Sequence, residues 1–439
     1  MERETWGSKT GFWLAAAGSA IGLGNIWRFP YLTGANGGAA FVLVYLLLVF
    51  TIGVSVMLAE FVIGRSTNLN PVGAFAKLKG GAWPIVGWMG VAAGFIILSY
   101  YSVIGGWTIK YIISSFTGLI SPTTDTTSYF LGFIGNGPQT ILFHALFMAA
   151  TIYVVYRGVG KGIEGWCKIL MPALFLLLLI LIVRAVTLPG AGAGISFYLN
   201  PDFSKITSKT LLAALGQAFF SLSLGMGAMI TYGSYISKKV SLPQSAATVT
   251  FLDTAIAFLA GFVIFPTVFA FGIQPGAGPG LTFITLPSVF AMMPGGQIWS
   301  ALFFLLLFIA ALTSAISLLE VVVAYVTDAQ GWPRHKAALV IGAAIFLLGI
   351  PSALSNGAVP INVFGMGFLD AMDFLASNIL LPLGGIFIAL FAGWIIKDIA
   401  KKETTSEGPF PLEKVWMWIC RIVAPLAILI IFLGGLGLF

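Results

Sequence analysis

Gly18-Ser19-Ala20-Ile21-Gly22-Leu23-Gly24-Asn25 decides the fold, because it interrupts an apolar run, 11–32, that is otherwise long enough to cross a bilayer. Three glycines at spacings of four and two make a continuous α-helix costly there. A second interruption, Ser221-Leu222-Ser223-Leu224-Gly225-Met226-Gly227, lies at the same relative depth of a later run, 209–236. Between and beyond these two lie further apolar runs at 38–63, 84–113, 138–156, 164–186, 244–272, 298–327, 336–355, 367–396 and 413–438. Eleven membrane spans are therefore expected in an all-α polytopic membrane protein.

Composition agrees. Of 439 residues 59% are hydrophobic and only 8% charged, against roughly 25% charged in soluble domains. Such a chain cannot cover its own surface in water, which excludes a soluble enzyme, a nucleic-acid binder and a secreted disulfide scaffold. The formal charge of +7 comes as short basic clusters between apolar runs, which reads as topology rather than as a nucleic-acid surface. With a cytoplasmic N-terminus the inside segments hold Arg3, Lys9, Arg65, Lys77, Lys79, Arg157, Lys161, Lys168, Lys238, Lys239, Arg334, Lys336, Lys397, Lys401, Lys402 and Lys414. Only Arg28, Lys110, Arg184, Lys205, Lys209 and Arg421 fall elsewhere. That bias places the N-terminus inside and, with an odd number of spans, Phe439 outside. The first run has no small-residue cleavage pattern before Asn25 and Arg28, so a retained first helix is expected. Cys167 and Cys420 sit beside basic residues at helix ends, and reduced thiols are expected of them. The connections near 117–137, 187–208, 273–297 and 356–366 are long, rich in Gly, Pro, Ser and Thr, and read as outer loops.

The interrupted runs are the first members of two successive groups of five, 10–186 and 209–397, followed by an eleventh span at 413–438 within one transporter domain, 1–439. Breaks at matching positions in two halves point to an inverted-repeat transporter. Close helix packing through small residues is the alternative, but Asn25 and Ser223 add polar atoms that packing does not require. Freed carbonyls inside a bilayer suit a sodium ion, and freed N–H groups at a half-helix end suit a carboxylate.

With Gly22-Leu23-Gly24-Asn25-Ile26-Trp27-Arg28-Phe29-Pro30-Tyr31, Asn36-Gly37-Gly38 and Gln217-Ala218-Phe219-Phe220-Ser221-Leu222-Ser223 in view, the chain resembles the neurotransmitter:sodium symporter family. It resembles the bacterial LeuT-like branch, and is most similar there to the multihydrophobic amino-acid transporters. The resemblance runs through the whole chain and implies a bacterial-type cytoplasmic membrane protein that needs no oligomer. Many members have a twelfth helix, for which this sequence has no counterpart.

The resemblance implies two sodium ions. The first would use the Ala20 carbonyl, Asn25, Ser221, Asp253 and the substrate carboxylate; the second the carbonyls of Gly18, Ile21 and Ala310 with the hydroxyls of Thr313 and Ser314. Taken alone, Thr313 and Ser314 could equally bond back to the preceding turn. Where relatives have Asn, with a chloride-binding Ser or a Glu four residues on, this chain has Asp253 and Ala257. A fixed carboxylate there implies transport without chloride. The implied substrate cavity is lined by Ala20, Leu23, Gly24, Ile97, Tyr101, Phe220, Ser221, Ser223, Met226, Ser314 and Leu318. Tyr101 would bond the substrate carboxylate, while Phe220 and Leu318 would close on its side chain. Monoamine carriers place Asp where this chain has Gly22, which favours an α-amino acid. Met226 can repack around varied side chains, favouring hydrophobic and aromatic L-amino acids, although a helical Met is also ordinary core.

The resemblance further implies an outer gate of Arg28 and Asp373, and an inner gate in which Arg3 pairs with Asp328 beside Trp6, Ser234 and Tyr235. Glu60 would tie the broken helices through their freed backbone, and Gly162 to Pro172 would mark a stretch of the fifth span that unwinds to release sodium. A symporter for another small zwitterion and a gated ion channel remain as other readings. An enzyme does not, because His144 lacks a metal-ligand partner at helical spacing and His335 lies in a basic loop.

Overall fold

A computed structural model describes residues 4–119, 121–273 and 280–438. Within a bilayer every backbone N–H and C=O must be bonded inside its own segment, so long runs of Leu, Ile, Val and Phe fold as helices. Among the described residues nine helices are long and apolar enough to cross a membrane: Ala39–Thr67, Pro84–Phe116, Gly137–Tyr156, Val159–Val186, Leu242–Ala270, Gly296–Gln330, Arg334–Ser355, Phe368–Ile395 and Glu413–Gly435. The two remaining spans are the interrupted ones. The first runs Lys9–Ala20, breaks, and resumes through a wide turn, Gly24–Arg28, into Phe29–Ala35. The sixth runs Ser208–Ser221 and resumes at Ala228–Gly233.

Each break has a local cause. Ile21 turns extended at φ −70°, ψ 108°, and the Asn25 side chain then accepts from the Gly22 N–H at 3.0 Å, satisfying a donor the helix has released. In the sixth span Ser223, Gly225 and Gly227 all have positive φ, at 54°, 80° and 75°. At Gly225 a Cβ would stand 2.3 Å from the Leu381 carbonyl oxygen, so only glycine lets this backbone touch the tenth span. Glu60, buried in the second span, accepts from the Gly225 N–H at 2.8 Å. Its tie therefore runs to the sixth-span break, and no such bond to the first-span break occurs among the described residues.

The third and eighth spans are central: 78% and 83% of their apolar stretches is buried, against 28% for the fifth and eleventh, which face outward. Both breaks are packed against this central pair: in the first, Leu23 is bonded to Tyr101 and Ile21 to Ser314, and at the sixth a Cβ on Gly90 would stand 3.1 Å from the Gly227 nitrogen and one on Gly227 3.5 Å from Val321 Cγ1. The outer connections are more ordered than their composition suggested. They contain the helices Thr126–Ile134, Ala191–Leu199 and Leu281–Met292 and a small ladder pairing Asn362 with Gly367. Asp125 starts the first of these helices by accepting from the N–H groups of Thr127 and Ser128, a local cap that a loop-like composition conceals. Cys167 and Cys420 are both free and buried.

Candidate functional site

Two cavities meet at the breaks. The inner one, about 30 Å³, is lined by Ala20, Gly22, Gly24, Ile97, Tyr101, Phe220, Ser221, Ser223, Met226, Ser314 and Leu318. This is the expected substrate lining with one exchange: Gly22 takes a place in the wall, and Leu23 instead lines the outer cavity. The resemblance implied an inward Leu23; here the chain turns extended at Ile21, and Gly22 lines the inner cavity while Leu23 faces the outer one. The space suffices for little more than a water, so any larger occupant must push back the walls, of which Met226 is the adaptable part. No acidic or basic side chain lines it. The Tyr101 hydroxyl accepts from the Leu23 N–H at 3.2 Å, which leaves its own proton for an acceptor in the cavity.

The outer cavity is about 320 Å³ and includes Trp27, Arg28, Tyr31, Tyr100, Trp107, Asp370 and Asp373. Gly24, Tyr101 and Phe220 line both spaces and so form the partition between them. A Cβ at residue 24 would stand 2.9 Å from the Phe220 ring, so the partition closes only over glycine. Arg28 and Asp373 do share the outer cavity, but no ion pair joins them among the described residues. The Arg28 guanidinium lies over the Phe220 ring at 4.6 Å. Asp373 accepts from Tyr100 at 2.8 Å and from Ser377 at 2.9 Å. The expected outer gate is thus open between its two charges.

Beside the inner cavity three of the groups expected at the first cation site, Asn25, Ser221 and Asp253, are in contact. The Asn25 amide donates to Asp253 Oδ1 at 2.7 Å and to Ser221 Oγ at 3.0 Å, and the Ser221 hydroxyl donates to Asp253 Oδ2 at 2.7 Å. Asp253 is wholly buried, with no Lys or Arg paired to it among the described residues. An ionised carboxylate in that position demands a cation, and the oxygens around it suit a hard one such as sodium. Gln217 is a neighbour of this site that spacing alone does not reveal. It donates to the Gly24 carbonyl at 3.0 Å and so fixes the backbone above this site.

The second candidate site is made of neutral oxygens. Ser314 donates to the Ile21 and Ser19 carbonyls at 3.1 Å each, and Thr313 donates to Ala310 and Ile309 at 3.1 Å each. A Cβ on Gly18 would stand 3.3 Å from the Thr313 Cβ, so Gly18 is the neighbour of these hydroxyls. Only Ser314 bonds across to the first-span break; the Thr313 bonds are to the preceding turn of its own helix, the back-bonding alternative, and Gly18 is brought near Thr313 without a bond between them among the described residues. Met171 Sδ stands 3.0 Å from the Cβ position of Gly18, which sets the fifth span against this site.

On the inner side Trp6 donates from Nε1 to the Tyr232 carbonyl at 3.0 Å, and its N–H reaches the Tyr235 carbonyl at 3.2 Å. Arg3 lies outside the described residues. Asp328 accepts from the backbone and side chain of Asn70 at 2.9 and 3.1 Å. Tyr235 donates to the buried Glu320 at 2.6 Å; Glu320 also pairs with Arg334, and Arg334 approaches Glu4 at 3.8 Å. Ser234 is buried against the Thr231 carbonyl at 2.6 Å. Three partners here, Glu320, Arg334 and Glu164, escaped sequence reasoning. Glu320 and Arg334 are fourteen residues apart across a loop, and only the turn between the eighth and ninth spans brings them together. Glu164 accepts from the Gly7 N–H at 2.6 Å and the Ser8 hydroxyl at 2.9 Å, which fastens the N-terminal segment to the fifth span.

The stretch from Gly162 to Pro172 is wound here, through a wide turn, Val159–Glu164, into the helix Gly165–Val186 that contains Pro172. Proline removes one ladder bond within that helix, so the stretch is the part of the fifth span most easily opened.

The chain matches, over residues 3–130 and 133–437, a family described as the Sodium:neurotransmitter symporter family. It is 42% identical over 440 residues to the uncharacterized sodium-dependent transporter YhdH of Bacillus subtilis (strain 168), covering 99% of this chain and 98% of that one. It is 30% identical over 487 residues to the sodium- and chloride-dependent GABA transporter 2 of Macaca fascicularis, covering 96% of this chain and 78% of the other. The crystal structure of MhsT in complex with L-phenylalanine superposes with a TM-score of 0.91 at 50% identity, covering 99% of this chain and all of that one, 100%.

Proposed function

This chain belongs to the sodium:neurotransmitter symporter family, a family of sodium-coupled transporters and not of enzymes, and from that premise we propose that it imports hydrophobic and aromatic L-amino acids with two sodium ions and without chloride. One observation carries the substrate class: the inner cavity has apolar walls, no charged lining, and a single phenol, Tyr101, directed at one end. That arrangement fits a zwitterion whose carboxylate meets Tyr101 and the first sodium, and whose side chain meets Ile97, Phe220, Met226 and Leu318. The relative of known structure with L-phenylalanine bound supports the same reading. The N-terminus is placed in the cytoplasm and the two five-helix repeats, 10–186 and 209–397, are related by inversion.

Sodium at Asn25, Ser221 and Asp253 neutralises a buried charge and completes a surface on which the substrate carboxylate can sit. Because ion and carboxylate share that surface, each raises the affinity of the other by the same factor. Phe220 and Arg28 then close the partition, and release inward requires Trp6 to leave Tyr232 and the fifth span to open beside Gly18 and Thr313.

Uptake into proteoliposomes tests this. Labelled leucine and tryptophan should accumulate saturably under an inward sodium gradient, equally with chloride or gluconate, and unlabelled Leu, Trp and Tyr should compete better than Gly or Glu. Preference for Gly or acidic amino acids would sink the substrate class. A second expected outcome concerns release. Pro172→Ala restores a helix bond and should slow turnover by roughly tenfold, the effect of about 1.4 kcal/mol, with substrate and sodium affinities unchanged. Unaltered turnover would remove the fifth span from the release path.

A further inference from the structure

Arg421 is one of the six basic residues that the inside-positive count left over. It lies eight residues into Glu413–Gly435, about 12 Å along the helix from its start at 1.5 Å per residue. A guanidinium that far along a span is costly unless it finds an anion or a wet route to the interface. The structure supplies half of what it needs. Its Nε donates to the Gly393 carbonyl at 2.7 Å and its plane lies over the Trp394 ring at 5.3 Å, while no carboxylate pairs with it among the described residues.

Above it opens a cavity of about 280 Å³ lined by Lys397, Asp398, Lys401, Glu413, Lys414, Met417 and Arg421. Four bases thus face two carboxylates, and one of these, Glu413, is already engaged by Lys401 at 3.6 Å. Lys397 and Lys414 have no acidic partner among the described residues. The surroundings are those of a lipid-facing interface. Val415, Trp418, Ile422 and Leu426 form an exposed apolar stripe along the eleventh span, and Trp394 is exposed on its neighbour. Tryptophan at such a level marks the boundary between headgroups and acyl chains.

We propose that this cavity binds the phosphodiester headgroup of an anionic phospholipid, held by Lys397, Lys414 and Arg421 with its acyl chains along the Val415–Leu426 stripe. Basic pockets between spans at the cytoplasmic face suit such headgroups, and the leaflet named here rests on the orientation proposed above. The occupant has a lever on the transport core. The helix that carries Lys397, Lys397–Thr404, also carries Glu403, which pairs with the buried Arg65 of the second span at 2.7 Å and with Lys238 beyond the sixth at 2.5 Å. A headgroup that steadies this helix steadies the inner ends of two moving elements.

Native mass spectrometry of the detergent-purified full chain with phosphatidylglycerol or phosphatidylcholine tests the site. Wild type should retain phosphatidylglycerol in preference, and Lys397→Gln and Lys414→Gln, both at exposed positions that leave the fold intact, should each lower that retention about fivefold. Equal retention by wild type and the double variant would overturn the proposal. So would displacement of the lipid by millimolar inorganic phosphate, which would make the site one for a soluble anion. Sidedness is read separately, by labelling Lys414→Cys in sealed vesicles, since Cys167 and Cys420 are buried. Labelling from inside supports the leaflet. Labelling from outside overturns the orientation and the leaflet, while lipid retention in detergent still reports on the cavity.

Discussion

Asp253→Asn lowers sodium-driven uptake in chloride-free medium about a hundredfold. The side chain is wholly buried and its two oxygens take 2.7 Å bonds from Asn25 and Ser221. Both donors are neutral, so the carboxylate's charge is answered by no side chain among the described residues. It is therefore free to answer a sodium ion. Removing one member of a buried charge pair costs about 3 kcal/mol, which is the stated hundredfold in ion affinity. Because ion and substrate are coupled, the loss appears in amino-acid affinity as well. The substitution is isosteric and the Asn amide can still bond Ser221, so the fold is retained and thermal stability should change little. The measurement is uptake against sodium concentration with gluconate as the anion, for wild type and variant. Wild-type indifference to chloride together with loss in the variant confirms that the fixed charge does the work. Intact uptake by the variant would show that the first ion is held without it.

The breaks were legible because their cause is local. Glycine spacing and the isolated polar atoms of Asn25 and Ser223 state, within eight residues, that a continuous helix is unfavourable, and the structure breaks at Ile21 and at Ser223 accordingly. The cavity lining was legible through resemblance, except where the extended turn at Ile21 exchanged Leu23 for Gly22. What could not be read was pairing. Arg28 and Asp373 share an outer cavity, yet Asp373 is held by Tyr100 and Ser377 and Arg28 by the Phe220 face. Whether two charges meet depends on a few ångströms of side-chain reach that no spacing encodes. Glu164 is the same lesson in reverse. In the sequence it is one more acid on a helix with Lys168 at i+4, whereas in the structure its carboxylate holds the N-terminal segment through Gly7 and Ser8. At Gly11 a Cβ would stand 2.0 Å from a Glu164 oxygen, so the close approach of the two segments is built into the first span by a glycine whose purpose is invisible alone.

Tyr101→Phe raises the substrate KM by about thirtyfold and leaves sodium binding in the absence of substrate nearly unchanged. The argument begins from what else could bind a carboxylate. The inner cavity has no Arg, Lys or His in its lining; the nearest guanidinium, Arg28, is on the far side of the Phe220 partition. What remains is the proposed first sodium ion, the Tyr101 hydroxyl, the lining serine hydroxyls and the freed N–H groups of the first-span break, and of these the Tyr101 hydroxyl is the donor that substitution by Phe removes cleanly. That hydroxyl already accepts from the Leu23 N–H at 3.2 Å, which orients its proton away from the backbone and toward the cavity. A hydrogen bond to a charged group is worth about 1.5–3 kcal/mol, and 2 kcal/mol is about thirtyfold. The phenyl ring of the variant fills the same volume, so the partition should still close. Gly22 explains why no second carboxylate competes for the phenol: a Cβ there would stand 2.6 Å from Ser314 Oγ and 2.9 Å from the Tyr101 hydroxyl. On the proposed reading, the space an acidic side chain would occupy is the space left for the substrate's own carboxylate. Phenylalanine and its decarboxylated analogue, measured as competitors of leucine uptake, separate the roles. The variant should discriminate between the two about thirtyfold less, because only the acid uses the hydroxyl. If the variant binds the amino acid as wild type does while still rejecting the amine, the carboxylate is held without the hydroxyl and Tyr101 is only a wall.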